Sequence, residues 1–259
     1  MKALLPFVAV LALCGFRPAP PPTVVASTGP VQLRLLDRDS ERLLPVYRHR
    51  GQQWSAGEQG HRYAVQLRNQ SSERVLVVLS VDGVNAISGE DAAPHQSGYV
   101  LQPWQQVDIT GWRKSNDDVA QFVFSPPAAS YAARTGRDAN IGVVGIAVFK
   151  ERRYRPQALD EVDISGGSAQ ARRSAAPAAE AMAAPAPALG TAHGQREHAP
   201  VRSTAFERAS SNPDQVSQLR YDSARNLRAR GIALESAPRP RERVPEAFPG
   251  GFVPDPPRR

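Results

Sequence analysis

Residues 75–85 read Val75-Leu76-Val77-Val78-Leu79-Ser80-Val81-Asp82-Gly83-Val84-Asn85, a β-branched apolar run followed by a two-residue turn signal. Five consecutive apolar residues with no polar alternation describe a strand covered on both faces, so the run belongs at the centre of a sheet. Asp82-Gly83, set between Val81 and Val84, predicts a tight hairpin, because a type I′ turn needs positive φ at both central positions. Val143-Val144-Gly145-Ile146-Ala147-Val148-Phe149 repeats the central-strand signal. Tyr63-Ala64-Val65-Gln66-Leu67 is closer to alternation and predicts one wet face.

Working outward, short strands are predicted at about 31–36, 43–48, 62–68, 75–81, 84–87, 98–101, 106–109, 119–124 and 142–149, mostly separated by Gly, Pro, Asn or Asp. Residues 31–155 hold 11 of the 17 aromatics and five of the 24 Pro, whereas 156–259 hold four aromatics and 13 Pro. Core-forming area is therefore concentrated in 31–155. The predicted fold class is all-β: an antiparallel β-sandwich over 31–155, followed by a disordered Ala/Pro linker and a short C-terminal helix. The linker is assigned to 156–211, since its Ala- and Pro-rich centre offers too little large apolar surface to offset the entropy of ordering. Asn212-Pro213-Asp214-Gln215 combines an N-cap residue, Pro at the first helical position and a capping-box Gln. With Gly231 as the stop, it predicts a helical element at 212–231, with Val216, Leu219 and Leu227 near one face. Residues 232–259 are expected to form a disordered Arg/Pro tail.

Met1-Lys2, the apolar run Ala3–Leu13 and the small-residue site Val24-Val25-Ala26 read as an export signal, predicting a signal peptide over 1–26 and a mature chain from Ser27. The expected localisation is periplasmic or secreted, with no transmembrane span in the mature chain. The single cysteine, Cys14, ends the apolar run where a lipoprotein would be lipidated, but Leu13 stands where that signal needs a small residue, so a lipid anchor at Cys14 is the minor alternative. One cysteine also excludes a disulfide scaffold. The net charge of +7 is spread evenly along the chain, which argues against a phosphate-binding segment and predicts no nucleic-acid partner.

No catalytic constellation, metal-ligand spacing or cofactor motif is found. His49, His61, His95, His193 and His198 form no zinc spacing. Asp82, Asn85, Glu90 and Asp91 do not reproduce a calcium loop, and the adjacent Asp117 and Asp118 would point to opposite faces of a strand. The loop Gly111-Trp112-Arg113-Lys114-Ser115-Asn116-Asp117-Asp118 is the most informative. Trp112 stacking on a sugar or partner, with Arg113 or Lys114 meeting an anion, is its recognition reading; a buried Trp112 plugging one end of the sandwich is the favoured alternative. Asp82 and Asn85 complete the candidate binding set. Trp54, Trp104, Tyr63, Tyr99 and Tyr131 are expected in the core or at its rim first, and as a glycan platform second.

The strings Ser80-Val81-Asp82-Gly83-Val84-Asn85, Gly98-Tyr99-Val100-Leu101, Gly111-Trp112-Arg113-Lys114-Ser115, Ser130-Tyr131-Ala132-Ala133-Arg134-Thr135-Gly136 and Asn140-Ile141-Gly142-Val143-Val144-Gly145-Ile146-Ala147-Val148-Phe149 are similar to those of a group of uncharacterised exported bacterial proteins. The resemblance spans roughly 43–151 and extends to Leu189-Gly190-Thr191-Ala192-His193-Gly194 and Tyr221-Asp222-Ser223. It implies one module with a recurrent tail element and transfers no activity, ligand or catalytic residue. The resulting expectation is an exported, non-enzymatic interaction module of the cell envelope, with an envelope protein or a glycan as partner; a carbohydrate-binding or carbohydrate-active domain is the alternative.

Overall fold

The computed structural model describes residues 29–153 and 187–234. The expected signal peptide, most of the expected linker and most of the expected Arg/Pro tail lie outside the described residues. In chain order the strands are β1 (Val31–Asp37), β2 (Arg42–Leu43), β3 (Tyr47–His49), β4 (Gln52–Gly57), β5 (Arg62–Asn69), β6 (Val75–Val81), β7 (Val84–Asn85), β8 (Tyr99–Leu101), β9 (Gln106–Ile109), β10 (Gly111–Arg113), β11 (Asp118–Ser125), β12 (Val143–Lys150), β13 (Gly190–His198) and β14 (Gln215–Ser223). Two short α-helices, α1 (Tyr131–Arg134) and α2 (Ala224–Ala229), complete the set.

The all-β sandwich is present as two seven-stranded sheets. In the first, β2, β1 and β5 lie side by side, β9 and β10 pair in turn with β5 and β11, and β13 runs along β11. In the second the order is β3-β4-β14-β12-β6, with β7 and β8 both on β6. Pairing is antiparallel except between β14 and β4, which is parallel. Alternate residues face inward, so Leu33 and Leu35, Val65 and Leu67, Val77 and Leu79, Phe122 and Phe124, and Val144 and Ile146 fill one core. The predicted hairpin is there, with Asp82 at φ 53° and Gly83 at φ 81°.

The domain does not end at 155. Strands β13 and β14 are members of the two sheets, so the expected linker boundary at 211 and the helical element at 212–231 are corrected. Residues 215–223 form a strand in which Gln215, Leu219 and Tyr221 are buried while Val216 is 63% exposed, a period of two where a helical stripe was expected. The supposed cap serves the sheet: the Asp214 carboxylate accepts from the Lys150 backbone N–H at 2.9 Å. A short C-terminal helix does follow, at Ala224–Ala229. Its N-cap is Ser223, whose Oγ accepts from the Asn226 N–H at 3.2 Å. Gly231 is the predicted stop, and with it Ile232 donates to the Leu227 carbonyl at 3.0 Å and Gly231 to that of Arg228 at 2.9 Å, the two bonds of a Schellman motif. Leu227 and Ile232 then cover Trp54, so the expected tail begins beyond these residues.

Between β13 and β14 the chain crosses from one sheet to the other as a strap. Ala199 and Val201 donate to the Asp117 and Asn116 carbonyls at 2.7 and 2.8 Å. Phe206 lies over Leu76, Val78, Ala147 and Phe149, and the Arg208 guanidinium sits 4.2 Å from the Phe149 ring centroid. That cover explains why β6 is apolar on both faces. Gln52–Gly57 and Gly111–Arg113 are strands that the sequence reading did not expect, and the expected strand at 43–48 is divided between β2 and β3 on different sheets.

Candidate functional site

The core contains a polar clamp. The Asp82 carboxylate receives the Tyr221 hydroxyl at 2.5 Å and the Gly142 N–H at 3.0 Å on Oδ1, and the Thr191 N–H at 2.7 Å on Oδ2. Thr191 Oγ1 lies 2.6 Å from Tyr221 Oη and 2.5 Å from Tyr63 Oη, so four side chains form one chain of hydrogen bonds. All four are buried. Burial pushes the Asp82 pKa up against the pull of these donors, and burial together with the Asp82 charge lifts both phenols well above their ordinary value. Tyrosines held protonated and sealed from solvent cannot exchange protons with a ligand, so the clamp is an internal fastening of β5, β13 and β14 to the β6–β7 turn.

Three of the five candidate binding residues are therefore corrected to structural positions. Asp82 faces the core. Asn85 is fully buried, its Oδ1 accepting from Ile87 and Ser88 N–H groups at 2.7 and 3.1 Å and its amide donating to Gln96 and Ser97. Trp112 is 3% exposed, edge-on to Phe122 at 4.8 Å and tilted against Tyr131 at 5.1 Å, so it fills the core and offers no stacking face. Its neighbours behave differently. Arg113 is half-buried, with Nη1 donating to the Ala199 carbonyl at 2.5 Å, and Lys114 is exposed above the Tyr131 ring at 5.9 Å.

Arg113 and Lys114 line a cleft of about 890 Å³ between the strap and the β8–β9 region. Tyr99, Val100 and Val107 supply apolar wall, Pro200 to Thr204 form the opposite side, and Gln105 comes from the turn between β8 and β9. In that turn, Gln102-Pro103-Trp104-Gln105, the Gln105 N–H donates to the Gln102 carbonyl at 3.2 Å and Trp104 takes φ 63°. Pro followed by a positive φ is the type II pattern, whose third position is ordinarily Gly or Asn. A Trp there is strained, yet the side chain is 63% exposed and gains little burial in return. The sequence signal was present in Pro103-Trp104, but composition alone could not separate a displayed Trp from a buried one.

A second polar cluster closes the other end of β1. Asp37 Oδ2 lies 2.8 Å from His61 Nδ1, its Oδ1 accepts from the Asp39 and Ser40 N–H groups, and Asp39 is paired with Arg62 at 2.5 Å. Asp37, Asp39 and His61 bring potential ligand atoms within 4.8 Å of one another, but Arg62 already neutralises Asp39. Burial raises the Asp37 pKa, and the bonds from Ser40 and His61 outweigh it, leaving the group below its ordinary value; the Asp37 bond holds His61 above its own. The pair thus adds most stability between 3.8 and 6.5, losing the Asp37 share as pH falls through its lowered pKa and the His61 share as pH rises through its raised one. Urea unfolding of His61→Gln is expected to show a shallower loss of stability above neutrality than the parent; identical slopes would remove His61 from the pH response.

Comparison with protein-family models, with curated proteins and with solved structures returns no match. No helix among the described residues is long and apolar enough to cross a membrane.

Proposed function

We propose that the chain is an exported, non-enzymatic binding module of the cell envelope and that its partner is a glycan rather than a protein. Export rests on the signal-peptide reading of 1–26, with Ser27 the first mature residue. The observation that carries the binding reading is Trp104, an indole held outward at a backbone position that disfavours it, on the turn whose Gln105 lines the cleft. Strain kept at an exposed site is a mark of function, and a flat, exposed indole stacks on the apolar face of a sugar ring. The acids best placed for proton transfer are otherwise engaged, Asp82 in the clamp and Asp37 with His61, which favours binding over catalysis.

Trp104→Gly tests this. Left-handed backbone costs a bulky residue about 1–2 kcal/mol, partly offset by the freedom Gly has when unfolded, so the variant is expected to unfold with up to about 1 kcal/mol more free energy. It is also expected to lose co-sedimentation with purified envelope polysaccharide. A variant that retains that binding would overturn the assignment of Trp104.

A further inference from the structure

We propose that the cleft beneath the strap binds an acidic oligosaccharide, whose carboxylate or sulfate substituents are met by Arg113 within the cleft and by Lys114 and Arg202 at its exposed edge. This rests on the glycan reading above and names the chemical class of the glycan.

Charge is the first argument. Several cations elsewhere are matched by acids, among them Arg38 with Glu197, Arg62 with Asp39, Arg74 with Glu151 and Arg137 with Asp91. Arg113, Lys114 and Arg202 have no ion-pair partner among the described residues, and no Asp or Glu is among the residues lining the cleft. Asp118, close by in sequence, is drawn towards Arg196 and His198 instead. Three cations sharing one concavity without a counter-charge create a positive potential that an anion would relieve.

Unmet hydrogen bonds are the second argument. The Arg113 Nε and the Tyr99 hydroxyl are shielded from solvent and complete no well-aligned hydrogen bond, although, against the upward push of burial on the Tyr99 pKa, the Arg113 side chain lies close enough to that hydroxyl to draw it down. Such groups cost free energy unless something satisfies them. The guanidinium is also fixed, since Nη1 is tied to the Ala199 carbonyl at 2.5 Å, so it is already oriented before a ligand arrives. Its planar fork suits a carboxylate or sulfate better than a lone ammonium does.

The walls are the third argument. The polar residues Ser97, Asn116 and Ser203 line the cleft beside the apolar Tyr99 and Val107, a mixture matched to a sugar ring with its polar edge and apolar face. The turn carrying Trp104 supplies Gln105 to the same wall. An acidic peptide would meet the cations equally well and is the competing occupant.

The test is calorimetric titration of the mature chain with hexagalacturonate, with neutral cellohexaose and with a polyglutamate of matching charge. Binding of hexagalacturonate in preference to both is expected, weakened by added salt, reduced by about tenfold in Arg113→Gln and reduced further in the Lys114→Glu/Arg202→Glu double variant. The double variant alters exposed side chains only, so an unchanged thermal unfolding curve would show that its loss of binding is not a loss of fold. Equal binding of cellohexaose, insensitive to charge reversal, would overturn the acidic specificity and leave the glycan reading standing. Preferential binding of polyglutamate would overturn the inference in favour of a peptide site, and no binding of either oligosaccharide would overturn both readings.

Discussion

A chain ending at Arg155 is expected to remain unfolded, and a peptide spanning 187–234 is expected to restore its fold when added in trans. The shortened chain lacks β13, β14 and α2, and with them Leu189, Leu219, Tyr221 and Leu227, each essentially fully buried. Full burial of a large side chain contributes about 1.5–3 kcal/mol, so these four together supply roughly 6–12 kcal/mol, as much as the whole stability of an ordinary domain. The losses go beyond area. β12 would lose its partner over six registered pairs, β11 would expose an edge as long as β13, and Asp82 would stand in the core without the Tyr221 hydroxyl or the Thr191 N–H. Circular dichroism decides it: a strand-rich spectrum with a cooperative melt from the shortened chain alone would refute the expectation. Recovery of that spectrum only when the peptide is present would support it.

The central strands were legible because their cause is local. An unbroken apolar run at 75–79, an Asp-Gly turn and a β-branched stretch at 143–149 state burial on both faces and a hairpin without reference to anything distant. β13 and β14 were not legible, for two physical reasons. Gly190–His198 is an edge strand with only Gly190 and Thr191 buried, so it carries almost no apolar pattern. Gln215–Ser223 buries Gln215, Leu219 and Tyr221 at a spacing that a helix reader also accepts in part, and the preceding Asn-Pro-Asp reads as a helix start although Asp214 serves the neighbouring strand. The recognition loop was half right in the same way. Trp112 and Arg113 alternate across a strand, so one enters the core and the other enters the cleft, a difference of facing that depends on the pairing of β10 with β11. Asp82 was explained by the turn it occupies, and its second task could not be seen until Thr191 and Tyr221 were brought to it from more than a hundred residues away.

That second task makes Asp82 a sensitive position of the core. Asp82→Ala is expected to destabilise the domain by roughly 3–5 kcal/mol, because the Gly142 and Thr191 N–H groups are left buried without an acceptor, at about 1–3 kcal/mol each before relaxation, and the Tyr221 hydroxyl keeps only Thr191 Oγ1 as a partner. The left-handed backbone at φ 53° adds to the cost for Ala. Asp82→Asn tolerates that backbone and keeps one carbonyl oxygen, so a smaller loss of about 1–3 kcal/mol is expected. The two variants together separate the turn from the clamp. They also separate them by pH. Burial raises the Asp82 pKa in the folded state above the ordinary 3.8, so its contribution is complete below that value and declines as pH rises through the raised pKa. The hydroxyls of Tyr221 and Thr191 can each donate or accept, which lets the network follow either protonation state of the carboxyl. Denaturant unfolding across that window is expected to show a more downward slope of stability with rising pH in the parent than in Asp82→Asn, where position 82 no longer titrates while the other carboxylates do. An asparagine variant as stable as the parent and with the same pH slope would show that the carboxylate fastens nothing, and that the tail strands are held by their backbone ladders and apolar side chains alone.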